Sequence, residues 1–129
     1  MPSPETLERF VALVESNAHD VACEQFYTEH STMQENQGVP RVGRDRHVAN
    51  EKAVLARAKS VSSTCVPPVL VNGDHVVIRW SFHFVWRDGT EMRLDELAWQ
   101  RWEGEQIAQE QFFYDPAQRA PRPADTLAS

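Results

Sequence analysis

The chain has 129 residues, 41% hydrophobic and 25% charged, with a net charge of −6. This length fits one domain that buries its own core. The acidic balance excludes a nucleic-acid binder, which needs clustered Lys and Arg against phosphate. No apolar run approaches the roughly 20 residues that span a bilayer. The start, MPSPETLERF, lacks the basic-then-apolar pattern of a secretory signal, so no membrane association and a cytoplasmic location are expected. Cys23 and Cys65 are too few for a disulfide framework or a metal cluster and read as reduced core residues.

Ser3-Pro4 opens a first helix, with serine as N-cap and proline where its missing N–H costs nothing. Leu7, Phe10, Val11, Leu13 and Val14 recur at helical spacing on one face. Asp20 is placed to cap a short second helix through Tyr27. Ser31 to Asn36 reads as a short strand, and Gly43 leads into a third helix, about Arg44 to Ala58, with Val48, Leu55 and Ala58 as its buried stripe. Ser60 to Val71 is extended, and Pro67-Pro68 assigns it to a sheet edge or a bulge. Asn72-Gly73 is a hairpin turn.

The stretch Asp74 to Asp115 then predicts three antiparallel strands, with turns at Arg87-Asp88-Gly89 and Glu103-Gly104-Glu105. Side chains alternate between the faces of a sheet. The more apolar parity, expected to pack on the helices, holds Val76, Ile78, Trp80, Phe82, Phe84, Trp86, Leu94, Glu96, Ala98, Gln100, Trp102, Ala108, Glu110, Phe112 and Tyr114. The opposite parity mixes charges with Leu97, Trp99, Ile107 and Phe113. Such a half-apolar open face suggests a partner, most simply a second copy. The element order gives an α+β fold with three helices gathered on one face of a curved antiparallel sheet. Residues 1–116 form the single domain and 117–129 a proline-rich tail that hugs the surface or frays.

The run FYTEHSTMQEN, Gly43 ahead of the third helix and the closing QRWEGEQIAQEQFFYDP resemble the nuclear transport factor 2-like superfamily. Its members include SnoaL-like polyketide cyclases, ketosteroid isomerases and limonene epoxide hydrolases. The resemblance covers about Glu5 to Pro116 and implies a cystatin-like cone. The sheet wraps the helices, an apolar pocket opens at one end, and a homodimer forms through the outer sheet face (Leu97, Trp99, Gln111, Phe113). The fold hosts unrelated activities as well as binding proteins.

Laid without gaps on the ketosteroid isomerase pattern, the oxyanion-hole tyrosine falls on Phe10, the general-base aspartate on Gln34 and the second oxyanion donor on Ala98. None of these three can do that chemistry, so ketosteroid isomerase activity is not expected. The epoxide hydrolase pattern places its catalytic groups near Trp80, Phe82 and Phe112. The string Arg93-Leu94-Asp95 mimics part of it, but on the outward parity one strand too late.

Two inward acids remain, Glu96 and Glu110. A tight turn at Gly104 sets Ala98 roughly opposite Glu110, which makes the two glutamates diagonal neighbours about 7–8 Å apart. Among aromatic rings, desolvation and mutual repulsion should raise their pKa values, as a general acid/base requires. Gln34, Asn36 and Tyr114 are candidates for gripping a polar ligand end. Trp80, Phe82, Phe84, Ala98 and Phe112 are candidates for the pocket wall, with core packing the commoner use of such rings. The five histidines lack zinc-site spacing. His83 is assigned to the outer face and an interface; His47 has the cone within reach from the third helix, with the surface the safer assignment. Neither a phosphate-cradling loop nor a nucleophile signature is present, so no cofactor and no metal are expected.

Two functions stand at this level. One is acid/base isomerisation, cyclisation or dehydration of a small apolar carbonyl compound, with Glu96 and Glu110 transferring protons. The other is a non-catalytic dimer that binds a ligand or a protein.

Overall fold

The computed structural model describes residues 1–124. Helices α1 (Pro4–Glu15) and α2 (His19–Phe26) lead into strand β1 (Tyr27–Glu35) and the short β2 (Arg41–Val42). Helix α3 (Arg44–Arg57) follows, then β3 (Ala58–Asn72), β4 (His75–Trp86), β5 (Thr90–Glu103) and β6 (Gln106–Phe113). A 3₁₀ turn, Pro116–Arg119, and the short β7 (Arg122–Pro123) close the described chain.

Local signals explain most boundaries. Ser3 Oγ accepts the Thr6 amide at 3.1 Å, with Pro4 in the first turn of α1. Helix α2 departs from expectation: Ala18 is its N-cap and makes no side-chain cap bond, while Asp20 sits inside the first turn. Tyr27 leaves the helix and begins β1, which turns out to be decisive for the site. Gly104 adopts φ +60°, where a glycine carries no Cβ penalty, and this closes the β5–β6 hairpin.

The sheet runs β2-β1-β6-β5-β4-β3, with β7 paired to β5. It is curved and unclosed, and the helices cover one face of it, so the α+β cone stands. The sheet is mixed rather than purely antiparallel, because β1 and β6 pair in parallel. Strand β3 is an edge strand, as Pro67-Pro68 requires, and its register shifts between Val66 and Leu70.

Phe10, Val14, Ala22, Phe26, Ile78 and Trp102 belong to the buried core between helices and sheet. Trp102 and Ile78 are nearly inaccessible. At about 25 cal/mol per Å² of apolar area, such side chains each stabilise the fold by about 1.5–3 kcal/mol.

Three expectations require correction. The third helix buries His47 completely, while Val48 and Leu55 stay half-buried; His47 is not a surface residue. In β6, Ile107 is fully buried although alternation assigned it outward. The cause is a bulge: Trp102 faces Ile107 and Arg101 faces Gln109, so Ala108 is an extra residue and both Ile107 and Ala108 turn inward. The bulge and the two-residue turn, which sets Glu103 opposite Gln106, together reset the register. Gln100, not Ala98, lies opposite Glu110, and Ala98 faces Phe112. Glu96 and Glu110 are therefore not diagonal neighbours; Glu96 lies opposite Trp80 on β4.

Candidate active site

Between helices and sheet lies a cavity of about 460 Å³. One wall is the inward row of β4, where Trp80 and Phe82 stack at 5.6 Å and Phe84 and Trp86 at 5.1 Å between ring centroids. Alternation in a single strand produces this ladder, since residues 80, 82, 84 and 86 share one face. Phe112 from β6 and Met33 from β1 add to the apolar lining.

Four carboxylates face this apolar space: Glu35, Glu51, Glu96 and Glu110. Glu110 is only 2% exposed, yet both its oxygens are engaged. The Tyr27 hydroxyl donates to Oε1, and Gln100 Nε2 donates to Oε2 at 2.6 Å. Trp102 Nε1 donates in turn to Gln100 Oε1 at 2.9 Å, which fixes the amide orientation. Burial pushes the Glu110 carboxyl up to about 7, and the bonds from Tyr27 and Gln100 pull against it. The Tyr27 phenol is driven well above its ordinary value by burial and by Glu110, so it remains a donor.

Glu96, on the adjacent strand, makes none of the hydrogen bonds that hold Glu110. Burial pushes it up to about 8, helped by the carboxylates of Glu35 and Glu110 and opposed by Arg119. Near neutral pH it is a carboxylic acid with a proton to donate. Glu51 projects from α3 and is raised to about 7, chiefly by burial and then by Glu35. Glu35 is held differently. Arg41 Nη2 meets its Oε2 at 3.0 Å, Arg119 Nη1 lies 3.6 Å from Oε1, and the Tyr114 hydroxyl donates to Oε1 at 3.0 Å.

Arg119 arrives because the chain beyond Asp115 folds back over the sheet. Gln118 brackets Asp95 by accepting its amide at 2.8 Å and donating to its carbonyl at 3.2 Å. β7 pairs with Thr90 and Glu91. The described part of the tail thus carries Arg119 and Pro121 into the cavity wall, while 125–129 lie outside the described residues.

Of the residues singled out from sequence, Glu96, Glu110, Trp80, Phe82, Phe84 and Phe112 are brought together on the cavity wall. Ala98 is fully buried in the core instead. Gln34 turns away from the cavity and donates to the Gly38 carbonyl at 2.9 Å. Asn36 accepts the Tyr114 amide at 3.0 Å, a structural brace. Tyr114 reaches the site only through Glu35. The pleat explains Gln34: Ser31 and Met33 face inward, so the next inward position of β1 is Glu35. An ungapped overlay therefore placed an amide where the strand presents a carboxylate one residue later.

Sequence reasoning missed Glu35, Glu51, Tyr27, His19, Arg41 and Arg119. Only some had a signal. Glu35 follows from the parity of Met33, and Glu51 from its i, i+4 relation to His47 on one helix face. On the outer face Leu97 and Phe113 are 46% and 38% exposed, with Trp99 and Gln111 half-buried beside them. His83 lies there too, 3.4 Å from the buried Glu91. Among the described residues no group of three or more His, Cys, Asp or Glu is arranged for a metal, and no helix is long and apolar enough to cross a membrane.

A family model described as a SnoaL-like domain matches residues 7–110. Among solved structures, a ketosteroid isomerase-like-fold protein from Catenulispora acidiphila, in complex with trimethylamine, superposes with TM-score 0.73. It shares 19% identity over 90% of this chain and 89% of its own. A candidate SnoaL-like polyketide cyclase from Mesorhizobium loti superposes at 0.72, with 18% identity over 88% and 100%. An LEH-like epoxide hydrolase from M. tuberculosis also gives 0.72, at 8% identity over 88% and 83%. At such identities the likeness is one of fold. No curated protein matches the chain.

Proposed function

Because the chain belongs to the SnoaL-like domain family, we propose that its cavity takes a small, largely apolar, carbonyl-bearing molecule and moves protons on it. The reaction is an isomerisation, a cyclisation or a dehydration. The observation that carries this reading is that Glu96 and Glu110, raised to about 8 and about 7, line one aromatic-walled space of about 460 Å³. Two carboxyls tuned near neutrality inside a desolvated site supply an acid and a base at the same pH.

In this reading Glu96 enters protonated and donates to the substrate carbonyl oxygen. Glu110 accepts a proton from the carbon beside that carbonyl. Tyr27 and Gln100 each occupy one lone pair on its two oxygens, which leaves others for the substrate. The electron pair of the broken C–H bond moves into an enolate, and Glu96 meets the charge that develops on oxygen. Return of the proton at another carbon isomerises the molecule. Attack of the enolate on a second carbonyl closes a ring, and loss of a β-hydroxyl dehydrates it. Trp80, Phe82 and Phe84 exclude water and position a flat apolar body. The outer face around Leu97, Trp99, Gln111 and Phe113 is read as the seat of a second copy, supported by the exposure of Leu97 and Phe113.

Melting curves of the wild type and Glu96→Gln across apolar ketones, phenols and polyketide-like compounds test the binding part. A ligand at a hundred times its dissociation constant adds about 2.7 kcal/mol of stability. A melting rise that depends on residue 96 is expected; a folded protein unmoved by every compound would contradict the reading.

A further inference from the structure

His19, the first residue of α2, is 8% exposed and stands on the cavity wall. The edges and faces of Phe82 and Phe84 surround its ring at 5.3 and 6.3 Å. Its Nε2 lies 2.8 Å from Ser63 Oγ, and the Ser63 hydroxyl donates to Asn17 Oδ1 at 2.8 Å. A hydroxyl has one hydrogen. With that hydrogen directed at Asn17, Ser63 can only accept from the ring, so Nε2 carries the N–H and Nδ1 keeps its lone pair. Nδ1 lies 3.9 Å from Glu51 Oε2, beyond hydrogen-bond range, and Glu51 shares the same cavity.

The order Ser63, His19, Glu51 is that of a hydrolase triad, but the chemistry is not. Ser63 is not on the cavity wall, and its hydrogen is given to Asn17 rather than to the imidazole. The serine is a brace. Burial lowers the imidazole pKa, while Asp20 and the Val14 carbonyl pull it the other way. Burial thus favours the neutral ring, and the Nε2–H set by Ser63 leaves Nδ1 as its basic nitrogen.

We propose that His19 is a second proton acceptor of this cavity, acting through Nδ1, with Asn17 and Ser63 fixing its tautomer and Glu51 relaying the proton outward. The inference rests on the proton-transfer reading of the cavity and adds a station on the helical wall, across from Glu96 and Glu110. Nδ1 takes a proton from a substrate C–H or O–H, and the bonding electron pair stays on the substrate. The imidazolium then passes the proton to the half-buried Glu51 carboxylate, which reaches solvent. His19 touches the reacting proton; Ser63 and Asn17 are positioning residues.

Two measurements test it. In ¹⁵N-labelled protein, long-range nitrogen–proton spectra report the tautomer directly. The expected result is Nε2–H for His19 in the wild type and in Ser63→Thr, and mixed tautomers in Ser63→Ala. An Nδ1–H wild type overturns the proposal. The second probe is 5-nitrobenzisoxazole, a flat apolar molecule that opens when a base removes its ring C–H; the N–O bond breaks and a coloured cyanophenolate forms. Positioned bases contribute large factors, so His19→Gln should lower this rate by at least about tenfold, with Ser63→Ala intermediate and Ser63→Thr near wild type. A rate untouched by His19→Gln but abolished by Glu110→Gln sinks the His19 proposal and leaves the carboxylate reading standing. A wild type no faster than buffer overturns both.

Discussion

Tyr27 on β1 donates a hydrogen bond to Glu110 on β6, and these two strands pair in parallel. The contact ties the exit of α2 to the base of the cavity, since Tyr27 immediately follows that helix. A buried carboxylate with raised pKa is thus held by a phenol whose own pKa is raised. Neither group readily releases the other, which keeps Glu110 oriented for exchange with a third partner, the substrate.

Tyr27→Phe removes that donor from a fully buried acid. Leaving such a group without its partner costs about 1–3 kcal/mol. The Glu110 pKa should also climb, because the Tyr27 bond is among the forces holding it down. Urea denaturation at pH 8 checks the first point. A variant as stable as the wild type would mean that the bond contributes nothing.

Stability should fall with rising pH across the window set by Glu96. The folded protein holds this proton up to about 8, whereas the ordinary value is 4.5. The folded state therefore binds more protons than the unfolded one between these limits, and its stability declines as pH climbs through them. Glu96→Gln removes this group from the balance. It should stabilise by on the order of 2 kcal/mol at pH 8 and change little at pH 4. Denaturation midpoints measured from pH 4 to pH 9 give the answer; equal slopes for wild type and variant would refute it.

The outer face offers a third prediction. Leu97 and Phe113 together present exposed apolar surface flanked by Trp99 and Gln111. Sedimentation velocity should show a dimer for the wild type and a monomer for Leu97→Glu, since a buried unpaired charge is strongly disfavoured at an interface. A monomeric wild type at high micromolar concentration would remove the second copy from the account.

The sheet was legible in the sequence because a period of two is a strong signal over long strands: Trp80, Phe82, Phe84, Leu94 and Glu96 all face as alternation requires. What alternation cannot see is an inserted residue. The two-residue turn, with Glu103 opposite Gln106, and the extra Ala108 each shift the β5–β6 register by one, and together they replace the expected Glu96–Glu110 diagonal with Gln100 opposite Glu110. The helical wall was harder to read for a different reason. Hydrophobic periodicity finds the face that packs, yet α3 turns His47, Glu51 and Val54 inward, a largely polar stripe that looks like a solvated face. His19 and Ser63 are 44 positions apart, and no local pattern joins them. The tail read as proline-rich, hugging the surface or fraying, and its composition carries no sign that Arg119 reaches Glu35 once the chain doubles back on β5.

The central claim is that Glu110 removes a proton from a carbon beside a carbonyl within this cavity. It is tested most directly by incubating the protein with 2-tetralone, a flat apolar ketone, in D₂O and following deuterium uptake next to the carbonyl by mass spectrometry. The account predicts uptake well above the buffer rate in the wild type and a loss of at least about a hundredfold of that excess in Glu110→Gln. Uptake no faster than buffer, while melting curves show the same ketone bound, would contradict proton transfer and leave the cavity a binding site alone.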